Sequence, residues 1–420
     1  MTGETDPGGG ELRCFEDSPT RPWSVVPPGW DMARARFLAR PNRFVARASL
    51  PEQGTVQAFL PNPGRLRELL LPGATLTLVR PARVVAGASS AGPGKRATDW
   101  TVVAVERDGA PVLLQTHWNN RVARHLLEHR LVPGLETHTV VRSEVRRGGS
   151  RFDFLLTGPD GPLLLEVKSC TLFESGVALF PDAPTDRGRR HVDELRAIAQ
   201  SGEAAAVLIL AHSPRVTVFA PDYHTDPAFA QALCQARRDV TVIPVRLGWT
   251  SDLCLSGRPE RLPVPWEVIE RENRDGGVYV MGFRLDAPRT VEVGALGACR
   301  FNAGHYLYVG SAARGLDARI QRHLARRKRF HWHVDWLRDV ADGVRAWPIR
   351  CVERLECALA RSLSERLTEG PPGFGSSDCA CGTHLFYSGT DPEREEWFHA
   401  WLGGWRTRAL RGAGGQNLPI

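Results

Sequence analysis

The stretch RFDFLLTGPDGPLLLEVKS, Arg151 to Ser169, reads as a β-hairpin. An alternating strand runs into the turn residues Gly158-Pro159-Asp160-Gly161, and a second strand follows with a continuous apolar run, the pattern of a strand covered on both faces. If that loop closes the hairpin, residue numbers paired across it sum to a constant and Asp153 falls opposite Glu166. Two carboxylates would then share one face at about 5 Å, where like charges repel unless something offsets them. A divalent cation is the natural offset, because Mg2+ (or Mn2+) takes one or two carboxylates together with water and phosphate oxygens. Lys168 projects to the same face by strand alternation and has the chemistry to orient an attacking water or to stabilise charge developing on phosphate. The competing reading is an exposed charged strand with an ordinary Glu/Lys pair.

Working outward, FPDAPTDRGRRHVDEL sets Asp182 and Thr185 before a helix on which Arg187, His191 and Glu194 form one stripe. That stripe either lines the site or faces solvent, with Val192, Leu195 and Ile198 packing. From Trp118 onward helix, strand, turn, strand, helix and strand succeed one another to about Leu247, which predicts an α/β unit. Before it, from about Phe37 to Leu114, the short β runs FVARASL, ATLTLV and WTVVAVE separated by turns predict a small barrel. Within the barrel, LPNPGRL fixes a rigid turn that would present Asn62 and Arg65 to a nucleic-acid partner, an ion pair to the next unit being the alternative for Arg65.

Residues 250–275 combine prolines with charges and read as a linker, after which GVYVMGF (Gly277 to Phe283) and HYLYVGSA (His305 to Ala312) open a third unit. The helix that follows carries Arg319 and His323 one turn apart, with Arg322, Arg326, Arg327, Lys328 and Arg329 around them, a phosphate-binding footprint or a solvated basic face. Phe330, Trp332 and Trp336 interleave with these cations; stacking on unpaired bases is one reading and packing in the core the preferred one. Cys379, Cys381 and His384, with Cys351 or Cys357, have the residue types of a zinc site, but C-x-C-x2-H is not a standard knuckle and reduced core cysteines are the preferred reading. The expected division is therefore a flexible tail over 1–32, a barrel over 33–114, an α/β unit over 115–249, the linker 250–275, a third unit over 276–412 and a tail over 413–420, with a mobile turn at Ala86 to Arg96.

The 420 residues exceed what one core serves, and 54 Lys and Arg against 47 Asp and Glu give a net charge of +7 that favours anionic partners. No uncharged apolar run is long enough to span a bilayer, and MTGETDPGGGELR lacks a basic segment followed by an apolar one. Nine cysteines without a disulfide-like spacing fit a reducing compartment, so a cytoplasmic location is expected.

The motifs LPNPGRL (Leu60 to Leu66), ELLLPGA (Glu68 to Ala74), WNNR (Trp118 to Arg121), SRFDFLL (Ser150 to Leu156), LEVKSCTL (Leu165 to Leu172) and FPDAPTDRGRRHVDEL (Phe180 to Leu195) resemble, in order, those of the sugar fermentation stimulation proteins. The resemblance covers about residues 33 to 247. It implies an OB-like barrel joined to a restriction-endonuclease-like domain of the PD-(D/E)xK type, with DNA binding and an inferred nuclease activity. Two positions differ from the family: His125 stands where a glutamate is usual, and Phe59 where a polar residue is.

The third unit resembles the GIY-YIG nucleases, an α+β fold, through Gly277-Val278-Tyr279, Tyr308-Val309-Gly310, Arg319 and Glu356, with an insertion between the two tyrosine motifs. HWHVDWL and GFGSSDCACGTHLFY place it in a small archaeal and bacterial branch of that superfamily. The resemblance implies that Tyr279 or Tyr308 activates water, that Arg319 contacts the scissile phosphate and that Glu356 holds a divalent ion. DNA is the expected partner and RNA is compatible with the same residues. A non-catalytic DNA-binding regulator of sugar-metabolism genes is the alternative function.

Overall fold

The computed structural model describes residues 22–82 and 98–411. The tail 1–21, the turn Ala86 to Arg96 and the segment 412–420 lie outside the described residues.

The first unit is a barrel of β1 (Trp30–Asn42), β2 (Val45–Leu50), β3 (Gly54–Phe59), β4 (Thr75–Pro81), β5 (Trp100–Arg107) and β6 (Ala110–Leu113). The sheet runs β3-β2-β1-β4-β5-β6 and closes through a parallel contact of β3 with β5, Ala58 opposite Trp100. Ala46, Ala48, Leu76, Leu78 and Val102 fill the interior with no exposure.

The second unit follows with α1 (Asn119–Glu128), β7 (Thr139–Arg147), β8 (Ser150–Gly158), β9 (Gly161–Cys170), β10 (Leu172–Glu174), β11 (Val177–Phe180), α2 (Asp186–Gln200), β12 (Ala204–Ala211), β13 (Val218–Pro221), α3 (Pro227–Ala236), β14 (Thr241–Trp249), β15 (Leu255–Arg261) and α4 (Trp266–Glu272). Its main sheet is ordered β15-β14-β12-β9-β8-β7, with β9, β12 and β14 parallel at the centre. The parallel centre explains the apolar run of β9, which is covered on both faces. Leu163, Leu165 and Val167 pack with Val122 and Leu126 of α1, while Leu164 packs with Val192 and Leu195 of α2. Glu166 and Lys168 share the Leu164 face by alternation.

Two expectations about connecting segments are corrected. Residues 22–32 are not a loose tail throughout. Val25 is fully buried and donates its N–H to the Leu253 carbonyl at 3.1 Å, Trp23 stacks on His125 at 4.0 Å, and β1 already starts at Trp30. Residues 250–275 are not a linker either. Gly248 pairs with Ser256 and Arg246 with Glu260, so β15 extends the sheet edge, where Pro259 costs no ladder bond to a further strand. After it, α4 buries Ile269 completely among Val177, Tyr223 and Leu410.

The third unit comprises β16 (Gly277–Leu285), β17 (Arg289–Glu292), β18 (Ala298–Phe301), β19 (Gly304–Ala312), α5 (Leu316–Leu324), α6 (His333–Val340), β20 (Gly343–Arg350), α7 (Glu356–Ser364), β21 (Thr368–Glu369), β22 (Leu385–Ser388) and α8 (Glu396–Arg411). Its antiparallel sheet is ordered β20-β16-β19-β22-β21, with the insertion folded as the separate hairpin β17-β18. One face packs against α5 and α6, the other against α7 and α8. No helix among the described residues is long and apolar enough to cross a membrane.

Candidate active sites

The hairpin register puts Phe154 opposite Leu165 and Gly158 opposite Gly161, which extrapolates to Asp153 opposite Glu166. At that point the ladder gives way to side-chain chemistry. Asp153 Oδ2 accepts the Val167 N–H at 2.7 Å and Oδ1 accepts from Asn120 Nδ2 at 2.7 Å. Glu166, only 4% exposed, accepts from Lys168 Nζ at 2.5 Å and from His191 Nδ1 at 2.6 Å, both on Oε1. Its Oε2 is buried with no hydrogen-bond partner. Burial raises the Asp153 pKa and the facing Glu166 charge adds to it, whereas for Glu166 the bonds from His191 and Lys168 outweigh burial and lower it. A buried carboxylate oxygen left bare costs free energy unless a cation takes it up. The residues present thus fit a hard dication held by Asp153 and Glu166.

His191 is buried beside Glu166 rather than presented to a nucleic-acid partner. It is 4% exposed, gives Nδ1–H to Glu166, and receives Arg187 Nε on Nε2 at 3.4 Å. Arg187 itself is exposed at the rim of the site. Asn120, from the WNNR motif, is a site residue to which sequence reasoning gave no role. On the next turn of α1, His125 stacks on Trp23 and makes a tilted ring contact with His129 at 4.1 Å.

The LPNPGRL turn corrects a second expectation. Asn62 is not presented outward. It is 7% exposed and its Oδ1 accepts the Gly64 N–H at 2.8 Å, an Asx turn. Asp182 Oδ2 caps the same turn by accepting the Arg65 N–H at 3.0 Å. A Cβ on Gly64 would lie 2.3 Å from that carboxylate oxygen, so glycine is required for the barrel to dock on the second unit. The Arg65 side chain remains exposed.

The second constellation gathers around the β16–β19 pair. Tyr279 lies opposite Gly310 and Met281 opposite Tyr308, which brings the two rings to 6.4 Å between centroids. A Cβ at Gly310 would sit 2.4 Å from the Tyr279 hydroxyl, a physical reason for the glycine that ends the Tyr-Val-Gly motif. Arg319 Nη1 donates to the Ser311 carbonyl at 3.0 Å, and Ser311 Oγ donates to Glu356 Oε2 at 2.5 Å, so one residue of β19 ties the arginine to the glutamate. Tyr279, Tyr308, Arg319 and Glu356 line one cleft of about 290 Å³, with Trp332 as a wall on which Arg319 stacks at 5.0 Å. The cleft shares Ser311, Glu356 and Asp378 with a groove of about 920 Å³ that is flanked by Arg274, Arg314 and Arg354.

Burial pushes both tyrosine pKa values up. For Tyr279 the Arg319 charge pulls the other way without reversing the shift. Both hydroxyls are therefore protonated near neutral pH and suited to donating a hydrogen bond rather than to accepting a proton.

Arg322 and His323 are not presented to a partner as expected. Asp335, fully buried, draws in Arg322 through both Nη groups at 3.1 Å, His323 Nδ1 at 3.3 Å and Lys328 Nζ at 3.0 Å. Three of the seven basic groups in the apparent phosphate footprint are consumed by this one carboxylate, leaving Arg326, Arg327 and Arg329 exposed.

Comparison with known proteins matches residues 38–114 to the SfsA N-terminal OB domain, 117–252 to the sugar fermentation stimulation protein RE domain, and 278–402 to the domain of unknown function DUF123. A sugar fermentation stimulation protein homolog from Methanothermobacter thermautotrophicus is 37% identical over 215 residues, which is 51% of this chain and 85% of that one. Another from Moorella thermoacetica is 41% identical over 209 residues, 49% of this chain and 85% of that one. Among solved structures, Pyrococcus furiosus SfsA in complex with Ca2+ is 28% identical with a TM-score of 0.50, covering 58% of this chain and 99% of that one.

Proposed function

The chain belongs to the sugar fermentation stimulation protein family, and from that premise we propose that it is a dication-dependent phosphodiesterase acting on nucleic acid, with a second phosphodiesterase site in its third unit. The observation that carries the reading is the bare, buried Glu166 Oε2 beside Asp153, with Lys168 on the same face. Mg2+ or Mn2+ bound there supplies Lewis acidity and a more acidic water. The Ca2+ complex of the Pyrococcus furiosus relative supports a hard, oxygen-seeking ion. Asp153 and Glu166 hold the ion, Asn120 and the Val167 N–H orient Asp153, and His191 with Lys168 orients Glu166. Lys168, whose ammonium donates to Glu166, would face the phosphate and stabilise the negative charge that develops on it.

In the third unit Arg319 binds the phosphate, and the Tyr279 and Tyr308 hydroxyls orient water by donating or relaying hydrogen bonds. Glu356 supplies the negative charge for an ion. DNA is the favoured substrate and RNA the comparison. Free thiols at every described cysteine accord with action in a reducing, cytoplasmic compartment.

The test is cleavage of single-stranded, duplex and branched DNA and of RNA with Mg2+ or Mn2+, using wild type, Lys168→Ala, Arg319→Ala and the double variant. Each single variant loses one activity, Lys168→Ala keeps affinity, and the double variant loses both activities. Absence of cleavage by wild type on every substrate overturns the proposal in favour of a binding protein.

A further inference from the structure

Four soft ligands meet at one point of the third unit, outside the carboxylate chemistry described above. Cys357 Sγ, Cys379 Sγ, Cys381 Sγ and a nitrogen of His384 all lie within 4.8 Å of one another. A tetrahedral zinc with Zn–S of about 2.3 Å and Zn–N of about 2.0 Å needs its ligand atoms roughly 3.5 to 3.8 Å apart, so the group closes on an ion with small side-chain movements. Cys351 is not part of it, since its Sγ turns instead to the Glu353 carbonyl at 3.3 Å. Three thiolates and an imidazole select zinc over the hard ions suited to Asp153 and Glu166.

Apart from a few hydrogen bonds, such as the Gly373 N–H to the Gly382 carbonyl at 2.7 Å and the Gly375 N–H to His333 Nδ1 at 3.1 Å, the loop that carries Cys379 and Cys381 has little apolar packing to order it. Between β21 and β22 the chain runs through PPGFGSSDCACGTH, 371–384, without helix or strand. Phe374 is its one large apolar residue, and it packs with Phe301 and Tyr308 rather than with the cysteines. A stretch of that length and composition cannot be fixed by hydrophobic packing alone.

We propose that Cys357, Cys379, Cys381 and His384 bind a structural zinc ion that pins the 371–384 loop to the first turn of α7. The consequence is positional. Cys357 follows Glu356 directly, and His384, 1% exposed, has Nε2 3.4 Å from Cys379 Sγ and Nδ1 3.5 Å from Glu356 Oε1. Nδ1 has no hydrogen-bond partner as it stands, and zinc on Nε2 would fix the tautomer that points an N–H at that carboxylate. The same loop brings Gly375, Ser377 and Asp378 to the wall of the cleft. The ion therefore sets both Glu356 and the wall facing it, and His384 is a positioning residue. This inference goes beyond the phosphodiesterase reading, and its test does not depend on cleavage.

Full-length protein purified without chelator is analysed for metal content, then stripped and reloaded with Co2+. One equivalent of zinc per chain is expected, and the Co2+ form is expected to show thiolate charge-transfer bands with a tetrahedral d–d pattern. Cys351→Ser keeps the metal, and Cys379→Ser lowers it. Hydrogen exchange completes the test on wild type, so that a variant that misfolds does not decide it. Stripping the ion accelerates exchange at 371–384 and at the start of α7 by about tenfold or more, because losing the ion lowers the local opening free energy, while β1 to β6 stay unchanged. Absence of bound metal, cysteines paired as a disulfide, or a stripped protein whose loop and α7 exchange as before would each overturn the proposal.

Discussion

Replacing Asp153 with asparagine separates the energetic cost of the carboxylate pair from its use. Asp153 and Glu166 face each other across β8 and β9 at about 5 Å, and two unit charges at that distance repel by about 3 kcal/mol at an effective dielectric of about 20. Lys168 cancels part of this, while burial disfavours the Asp153 charge more than any neighbour does. Asparagine keeps the shape and an acceptor for the Val167 N–H, but the Asn120 amide must turn to meet the new NH2, and a charge-assisted bond worth about 1 kcal/mol more than a neutral one is lost. The balance is a gain of about 1 to 2 kcal/mol without divalent ion.

Mg2+ reverses the order. An ion at about 100 times its Kd stabilises wild type by about 2.7 kcal/mol and the variant by much less. The difference also has a pH sign. Because the folded Asp153 pKa is raised, its cost is present at neutral pH and is relieved as pH falls toward that value, so the gap between variant and wild type closes on acidification. The assay is hydrogen exchange of the β8 and β9 amides in EDTA and in excess Mg2+, which reads local stability without assuming that the whole chain unfolds in one step. A less stable Asp153→Asn protein in EDTA, or equal protection of both proteins by Mg2+, refutes the reasoning.

Three further outcomes follow from the same geometry. Asp335→Ala leaves Arg322, His323 and Lys328 crowded around a buried void, and is expected to cost about 3 to 5 kcal/mol in urea unfolding of the third unit; a cost near zero would contradict its role. The bonds it receives outweigh burial and lower the Asp335 pKa, so its contribution is present above pH of about 4, the unfolded value, and disappears as pH falls through the folded one. Arg319→Ala is expected to abolish cleavage by the third unit with less than about 1 kcal/mol lost in thermal unfolding, since it forfeits one hydrogen bond and a partly exposed ring contact. The His125 pKa, lowered to about 4 by burial and by His129, makes the Trp23 stack weaken as pH falls from about 6.5 toward 4, where the unfolded chain takes up the proton first. Exchange of the Val25 amide reports this, and His125→Phe should remove the pH dependence while keeping the stack.

What was legible in the sequence was whatever local periodicity dictates. The hairpin loop fixed the register, the register fixed Asp153 against Glu166, and alternation put Lys168 beside them. The two tyrosine motifs marked two β runs, which the structure pairs as β16 and β19. Illegible features depended on a partner from a distant element. A tally of cations on α5 and the segment after it cannot disclose that Asp335 of α6 absorbs three of them. Asn62 in a proline-rich turn looks displayed, yet its own Gly64 N–H and the Asp182 cap from the next unit consume the turn. C-x-C-x2-H failed to resemble a knuckle because its remaining thiol comes from α7. Residues 250–275 looked like a linker because prolines and charges are also what an exposed edge strand carries.

The seam between units decides whether the two candidate sites move independently. His224 of the second unit is 2% exposed, donates Nε2–H to the Arg406 carbonyl at 2.8 Å and accepts the Arg350 N–H on Nδ1 at 2.9 Å. Burial holds its pKa well below the ordinary value, so both bonds belong to one neutral tautomer. Leu410 of α8 is fully buried among Val177, Leu179, Val218 and Ile269 of the second unit, and Gly403 lets α8 approach so closely that a Cβ would lie 2.3 Å from Glu174 Cγ. Glu174 in turn pairs with Arg107 of the barrel at 2.9 Å, and Arg67 of the barrel with Glu393 of the third unit at 2.5 Å. Separating these surfaces would strand a buried histidine, expose Leu410 and break half-buried ion pairs together, a far larger penalty than bending a solvated linker. The spacing between the Asp153–Glu166 pair and the Tyr279–Arg319–Glu356 cleft is thus a property of the packed fold, and a nucleic acid that engages both must conform to it.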